Sequence, residues 1–270
     1  MRIAILADIH GNSIALDAVV ADIQARGGVD GYWILGDLCA IGFDPSGVLD
    51  RLSLLPNTLF VSGNADRYVA TGALPDPTFE QVRADPSLLP QFAEVVGHFN
   101  WIKGNVTGRG WLGWLATLPA EQRAVLPDGR RVLLVHSTPS RDDGRGLNPT
   151  VGDNDVRHEI AGAKADLICV GHFHMQMNRL IDDVRVINPG AVSNNFPPDL
   201  RAGYAVLTAD LNGYALRYYR VAYDLQAAKA ATLRSGDPGA NFQARFYDGQ
   251  IRAQWLDSWN GVSHGVTVHD

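Results

Sequence analysis

Five apolar stretches of the chain each run into a side chain able to ligate a metal. Residues 2–10 read Arg2-Ile3-Ala4-Ile5-Leu6-Ala7-Asp8-Ile9-His10, and residues 33–37 read Trp33-Ile34-Leu35-Gly36-Asp37. Residues 59–64 end at Gly63-Asn64, residues 132–136 end at His136, and residues 167–174 end at Gly171-His172-Phe173-His174. Unbroken apolar runs of this length, bounded by turn residues, predict strands covered on both faces.

The segments between them complete the pattern. Ile14, Leu16, Ala18, Val19 and Ile23 form one helical face, which stops at Gly27-Gly28. Asp44-Pro45 supplies an N-cap and a first-turn proline for a short helix that ends before Pro56. The first third therefore reads βαβαβ, which implies parallel strands joined by right-handed crossovers. Residues 66–120 read as mostly helical and irregular, broken early by Pro75, Pro77, Pro86 and Pro90, with Trp101, Trp111, Trp114, Leu115 and Leu118 as a later apolar face. Pro127-Asp128-Gly129 predicts a hairpin turn before the strand that ends at His136. Residues 140–155, rich in Gly, Asp and Asn, read as a long substrate-shaping loop. Two hairpins follow, at Asp182-Asp183 and Asn212-Gly213. An Ala-rich helix runs from Asp224 to about Arg234, and no period is legible beyond Gly236. These elements make an α/β protein of two sheets with helices outside, hence four layers. The expected division is a main domain over residues 1–222, with residues 223–270 as a C-terminal helix and tail.

Composition narrows the class. A chain of 270 residues suits one large α/β domain or one with an appendage. The net charge of −6 leaves no basic footprint for nucleic acid or an anionic membrane surface. No apolar run is long enough to span a bilayer. The N-terminus starts like a secretion signal but reaches Asp8 and His10 too soon, so it reads as a core strand and the cytoplasm is the expected compartment. Cys39 and Cys169 sit in apolar contexts and read as reduced, buried small hydrophobes.

In open α/β sheets, sites form beyond the carboxyl ends of the strands, where five separate ligand groups can converge. Side chains two apart on an extended strand point the same way, so Asp8 and His10 are expected to grip one ion. Asp37 follows a glycine and offers two oxygens able to bridge two cations. Asn64 adds an amide oxygen and His136 an imidazole, while His172 and His174 repeat the one-residue spacing. Mixed N and O ligation without thiolate suits manganese, iron, zinc or nickel better than a structural zinc site. Gly97-His98-Phe99-Asn100 and Gly104-Asn105 mimic fragments of the pattern without its full context and read as non-site; His158, His264 and His269 read as surface residues. A zinc lactamase-like hydrolase would need a His-x-His-x-Asp-His cluster, which the sequence lacks.

Taken in order, Asp8-x-His10, Gly36-Asp37, Gly63-Asn64, His136 and Gly171-His172-x-His174 resemble the calcineurin-like metallophosphoesterase family over roughly residues 1–220. Asn188-Pro189-Gly190 and Tyr223-Asp224 look like its bacterial branch of small phosphodiesterases and diadenosine tetraphosphatase relatives. The resemblance implies a four-layer αββα sandwich with two mixed sheets and two divalent metal ions, manganese first among iron, zinc and nickel. It assigns Asp8, His10 and His174 to one ion and Asn64, His136 and His172 to the other, with Asp37 bridging. Two ions about 3.5–4 Å apart share and acidify a water, whose hydroxide attacks phosphorus in line. The expected partner is a small phosphorylated substrate, whether phosphodiester, phosphomonoester, dinucleoside polyphosphate or phosphoprotein. The family usually has a proton-donating histidine directly after the Gly-Asn pair, and here Ala65 stands there. That departure favours good leaving groups such as a phenolate or a phosphate, and is the one argument for a non-catalytic metal-binding scaffold. Asp66, Cys39 or a metal-bound water are the alternative acids. Arg67 and Asn12 are candidate phosphate contacts, against a surface arginine and a helix cap respectively.

Overall fold

The computed structural model describes residues 1–251 and the strand pair Val268–His269. The first sheet runs β11-β10-β9-β1-β2-β3. Its strands are β1 (Arg2–Leu6), β2 (Gly31–Ile34), β3 (Thr58–Phe60), β9 (Ala202–Asp210), β10 (Gly213–Val221) and the two-residue β11 (Val268–His269). β1, β2 and β3 are parallel, whereas β9 is antiparallel to both β1 and β10. The second sheet runs β4-β5-β6-β8-β7, from Glu121–Val125, Arg131–Val135, Leu167–Cys169, Val184–Pro189 and Gln176–Ile181 respectively. β5, β6 and β8 are parallel, and β4 and β7 flank them antiparallel. Both sheets are therefore mixed, as the repeated apolar runs and late hairpins imply.

Alternation along the strands builds three apolar layers. Ile3, Ile5 and Ala7 pack between the sheets with Val132, Leu134, Leu167, Cys169 and Ile187. Ala4 and Leu6 face the other way, onto Leu16, Val19 and Ile23 of α1 (Ser13–Ala25) and Val48, Leu49 and Leu52 of α2 (Pro45–Leu52). Leu133, Val135, Ile168 and Val170 cover the far side of the second sheet with Val156 of α7 (Asp153–Glu159). Two sheets face to face with helices outside each make the αββα sandwich. Cys39 and Cys169 are free and buried in different layers.

Residues 64–115 are mostly helical: α3 (Asn64–Thr71), α4 (Phe79–Ala84), a 3-10 turn at Pro86–Leu88, α5 (Leu89–Gly108) and α6 (Leu112–Leu115), with an irregular stretch over 72–78. Asp224 caps α8 (Leu225–Arg234) by accepting the Ala227 N–H at 2.8 Å. The stretch beyond Gly236, where the sequence shows no period, forms α9 (Ala240–Tyr247), which packs on α8. Among the described residues, no helix is long and apolar enough to cross a membrane.

Candidate metal centre

All seven proposed ligands lie beyond strand ends on one edge of the sandwich, but not as residues of the strands themselves. β1 stops at Leu6, β2 at Ile34 and β6 at Cys169. Asp8, His10, Asp37, His172 and His174 all take left-handed backbone angles, with φ from 49° to 69°. Asp8 and His10 therefore share a site through a strained turn, not through the period-two geometry of an extended strand. Such strain persists only where the surroundings over-determine it. Here the Asp37 carbonyl accepts the N–H groups of Ile9 (2.9 Å) and His10 (3.0 Å), stitching two ligand turns together. Asn64 is the first residue of α3 and follows Gly63. A Cβ at Gly63 would strike Asp37 Oδ1, and one at Gly36 would strike Gly63 and His136, so both glycines are required by the crowding of backbone around the site.

His10 and His174 meet Nε2 to Nε2 at 3.0 Å. His10 Nδ1 faces the Ala40 carbonyl at 3.0 Å and His174 Nδ1 faces the Asn194 carbonyl at 2.9 Å. A carbonyl accepts only, so each Nδ1 carries the hydrogen and each Nε2 presents a lone pair. Burial lowers both histidines, His174 to about 3, so both are neutral. Two facing lone pairs repel unless a cation lies against them. Asp8 Oδ1 sits 3.6 Å from His174 Nε2, and Asp8 Oδ2 is buried with no hydrogen-bond partner among the described residues. An orphaned buried carboxylate oxygen beside two lone pairs fits a divalent ion.

The second group is built alike. His136 Nδ1 donates to the Leu35 carbonyl at 2.6 Å, and His172 Nε2 to the Gly144 carbonyl at 2.9 Å. Their other nitrogens converge on the Asn64 amide, at 3.1 Å for His136 Nε2 and 3.0 Å for His172 Nδ1. With its oxygen inward, the amide needs positive charge at that point; turned over, its NH₂ would donate to both rings. Asp37 Oδ2 lies between the groups, 3.9 Å from His10 Nε2 and 3.5 Å from His136 Nε2, while its Oδ1 accepts the Ala65 N–H at 2.9 Å. That is the placement expected of a bridging carboxylate.

The electrostatics say the same. Burial raises Asp8 to about 8, aided by the Asp37 charge. Burial works against the His136 cation, but Asp37, by charge and hydrogen bonding, carries His136 up to about 10. Asp37 itself is also pushed up by burial, yet His136 and His10 more than offset this and hold it low. The pocket thus keeps a proton where positive charge is wanted, and divalent ions would supply that charge instead.

The remaining sequence candidates have other partners. Asn12 caps α1, its Oδ1 accepting the Ala15 N–H at 3.0 Å and its Nδ2 donating to Ser193 Oγ at 2.9 Å. The loop expected over 140–155 ends at Gly152, the N-cap of α7. Arg67 holds this loop, with Nε and Nη2 on Asp142 at 2.6 and 2.9 Å and Nη2 on Asp143 at 2.9 Å. The proposed substitute acids are also committed. Cys39 is in the core, its thiol pushed up by burial. Asp66 is fully buried and accepts the Leu38 N–H at 2.9 Å and the Gly63 N–H at 3.0 Å, pinning the Asp37 turn to the Asn64 turn. Burial and the Asp37 charge raise it to about 7. Ala65 is buried beside Asn64 and offers no proton.

His98, set aside on sequence grounds, is no ligand but supports the site. Its Nδ1 lies 2.7 Å from Asp237 Oδ2, and its Nε2 accepts the Ile41 N–H at 3.1 Å, next to the Ala40 carbonyl that orients His10. Asn105 accepts from Ser46 and is structural, and His158 is exposed, as expected. His264 and the side chain of His269 lie outside the described residues. Asn188 donates to the Gly171 carbonyl at 2.6 Å and accepts the Gly190 N–H at 2.8 Å, fixing the turn that presents His172 and His174. The four ligand-orienting carbonyls carry no sequence signal, because every residue has one. Asp66 had one signal only, an acid in the first turn of α3.

Comparison with known proteins settles the family. The model of the calcineurin-like phosphoesterase superfamily domain matches residues 1–212. The chain belongs to this superfamily. It is 27% identical over 242 residues to an uncharacterised protein of Methanocaldococcus jannaschii, covering 84% of this chain and 89% of that one. It is similar to the crystal structure of a metallophosphoesterase from Sphaerobacter thermophilus, with 25% identity, TM-score 0.70, and coverage of 93% of this chain and 100% of that one. A hypothetical protein of Pyrococcus horikoshii shares the fold, with TM-score 0.74, 18% identity, and coverage of 93% and 99%. Members of the superfamily generally bind divalent metals, and among the described residues two overlapping groups suit an ion: Asp8, His10 and His174, and Asp8, Asp37 and His136.

Proposed function

We propose that the protein is a two-metal-dependent phosphoesterase acting on a small phosphorylated substrate with a good leaving group. Asp8, His10 and His174 would hold one ion, Asn64, His136 and His172 the other, and Asp37 would bridge. Two such ions lower the pKa of a water between them and neutralise charge on the phosphoryl oxygens. The chain's own part is preorganisation. Four backbone carbonyls fix the histidine tautomers, and Asp66 fixes the spacing of Asp37 and Asn64. The observation that carries the reading is the His10–His174 contact, two unprotonated nitrogens at 3.0 Å beside an Asp8 Oδ2 that has no hydrogen-bond partner among the described residues.

Ala65 supports leaving groups that depart without a proton, such as phenolates or phosphates. It also favours one second reading, a metal-binding scaffold without catalysis. Hydrolysis of bis-p-nitrophenyl phosphate and of p-nitrophenyl phosphate, with manganese returned to chelated protein and Asp37→Asn as control, separates the two. Manganese-dependent release lost in Asp37→Asn supports the phosphoesterase, and the ratio of the two rates assigns diesterase or monoesterase. Stoichiometric metal with no release from either ester supports the scaffold.

A further inference from the structure

A cavity of about 280 Å³ opens directly beside Asn64 and Ala65. Sites for small ligands run from about 300 Å³ upward, so it accommodates a single ring better than a large group. Its walls are apolar. Tyr68 stands one helical turn beyond Asn64 on α3 and meets Phe99 of α5 edge-to-face, ring centres 5.6 Å apart. Val95 and Ile41 line it further, and Phe242 of α9 stands at it 43% exposed. Ala65, directly after Asn64, is one of the residues lining it.

Charge at its edge selects the occupant. Asp76 and Glu94, both exposed, are charged residues at that edge, so an anionic group such as a second phosphate is repelled.

Resting on the phosphoesterase reading, we propose that this cavity seats the leaving group of the substrate, an uncharged aromatic ring. Asn64, a candidate ligand of the second ion, lines the cavity, so a ring seated there lies next to the scissile bond. A ring-borne oxygen is a good leaving group, which agrees with the loss of a proton donor at position 65.

The test compares p-nitrophenyl phosphate with acetyl phosphate, whose leaving group also needs no acid but is too small to fill the cavity. The proteins are the manganese-loaded wild type, Val95→Trp to fill the cavity, and Phe242→Ala to open its edge. Val95→Trp is expected to raise KM for p-nitrophenyl phosphate at least tenfold, and Phe242→Ala a few-fold, with acetyl phosphate unchanged in both. Binding is read separately by saturation-transfer NMR with 4-aminophenol and 4-hydroxybenzoate. The aminophenol is expected to bind the wild type and not Val95→Trp, and the benzoate to bind neither. Equal binding of the benzoate overturns the proposal, as does an unmoved KM for p-nitrophenyl phosphate in both variants. If neither ester is hydrolysed but aminophenol binding is lost in Val95→Trp, the ring site stands and the phosphoesterase reading falls.

Discussion

His98 and Asp237 lie 139 residues apart and meet at 2.7 Å, fully inside the protein. The pair links the turn before α9 to α5, and through the Ile41 N–H to the loop that orients His10. Asp237→Ala strands a buried imidazole N–H and frees Gln243 Nε2. Removing one partner of such a pair costs about 3 kcal/mol. Chemical denaturation of the metal-free protein should show that loss. A shift under about 0.5 kcal/mol, the scale of an ordinary surface change, would mean the contact is incidental.

Asp66 acts through two other residues and is a positioning group. Asp66→Ala leaves the Leu38 and Gly63 N–H groups unpaired beside Asp37 and Asn64. Changes behind metal ligands weaken affinity about 10- to 100-fold. Metal titration by calorimetry should find that loss, with Asp66→Asn retaining part of the affinity. Wild-type affinity in Asp66→Ala would sink the positioning role.

Metal binding should release protons. In the metal-free chain Asp8 stays protonated up to about 8 and His136 up to about 10. Both must lose their protons to ligate. At neutral pH, binding therefore expels protons, and affinity rises with pH. Calorimetry in buffers of different ionisation enthalpy should give buffer-dependent heats. Asp8 also sets the sign of metal-free stability. The native form keeps a proton that the unfolded chain releases near its ordinary 3.8, so its contribution falls as pH rises toward about 8. The gain in melting temperature on adding manganese should accordingly be larger at about pH 8 than at about pH 6. Heats identical in all buffers would contradict this protonation scheme.

Ala65→His should restore a proton donor. General acid catalysis contributes about 10²–10⁴-fold where the leaving group is poor. Rates on alkyl phosphodiesters should rise by about 100-fold, while p-nitrophenyl esters gain little. Equal gains on both classes would show that the leaving-group proton is not what limits the wild type.

Unbroken apolar runs were enough to place β1, β2, β5 and β6, because a strand buried on both faces has no room for polar residues. The half-exposed β4, β7 and β10 were marked instead by the turn residues beside them. The candidate ligand set was legible because Asp, Asn and His stand out at the ends of apolar runs. The sequence by itself determined the two sheets, the candidate ligand types and the absence of a proton-donating side chain at Ala65. The tertiary structure decided what no local pattern encodes. Left-handed turns, not extended strand, aim Asp8 and His10, because the Asp37 carbonyl from a neighbouring loop holds them there. Asp142 and Asp143 take up Arg67, and Asp237 takes up His98, through contacts spanning 75 residues or more. Such pairings are set by where packed layers bring distant loops together, so a side chain's role stays undetermined until the fold supplies its neighbour.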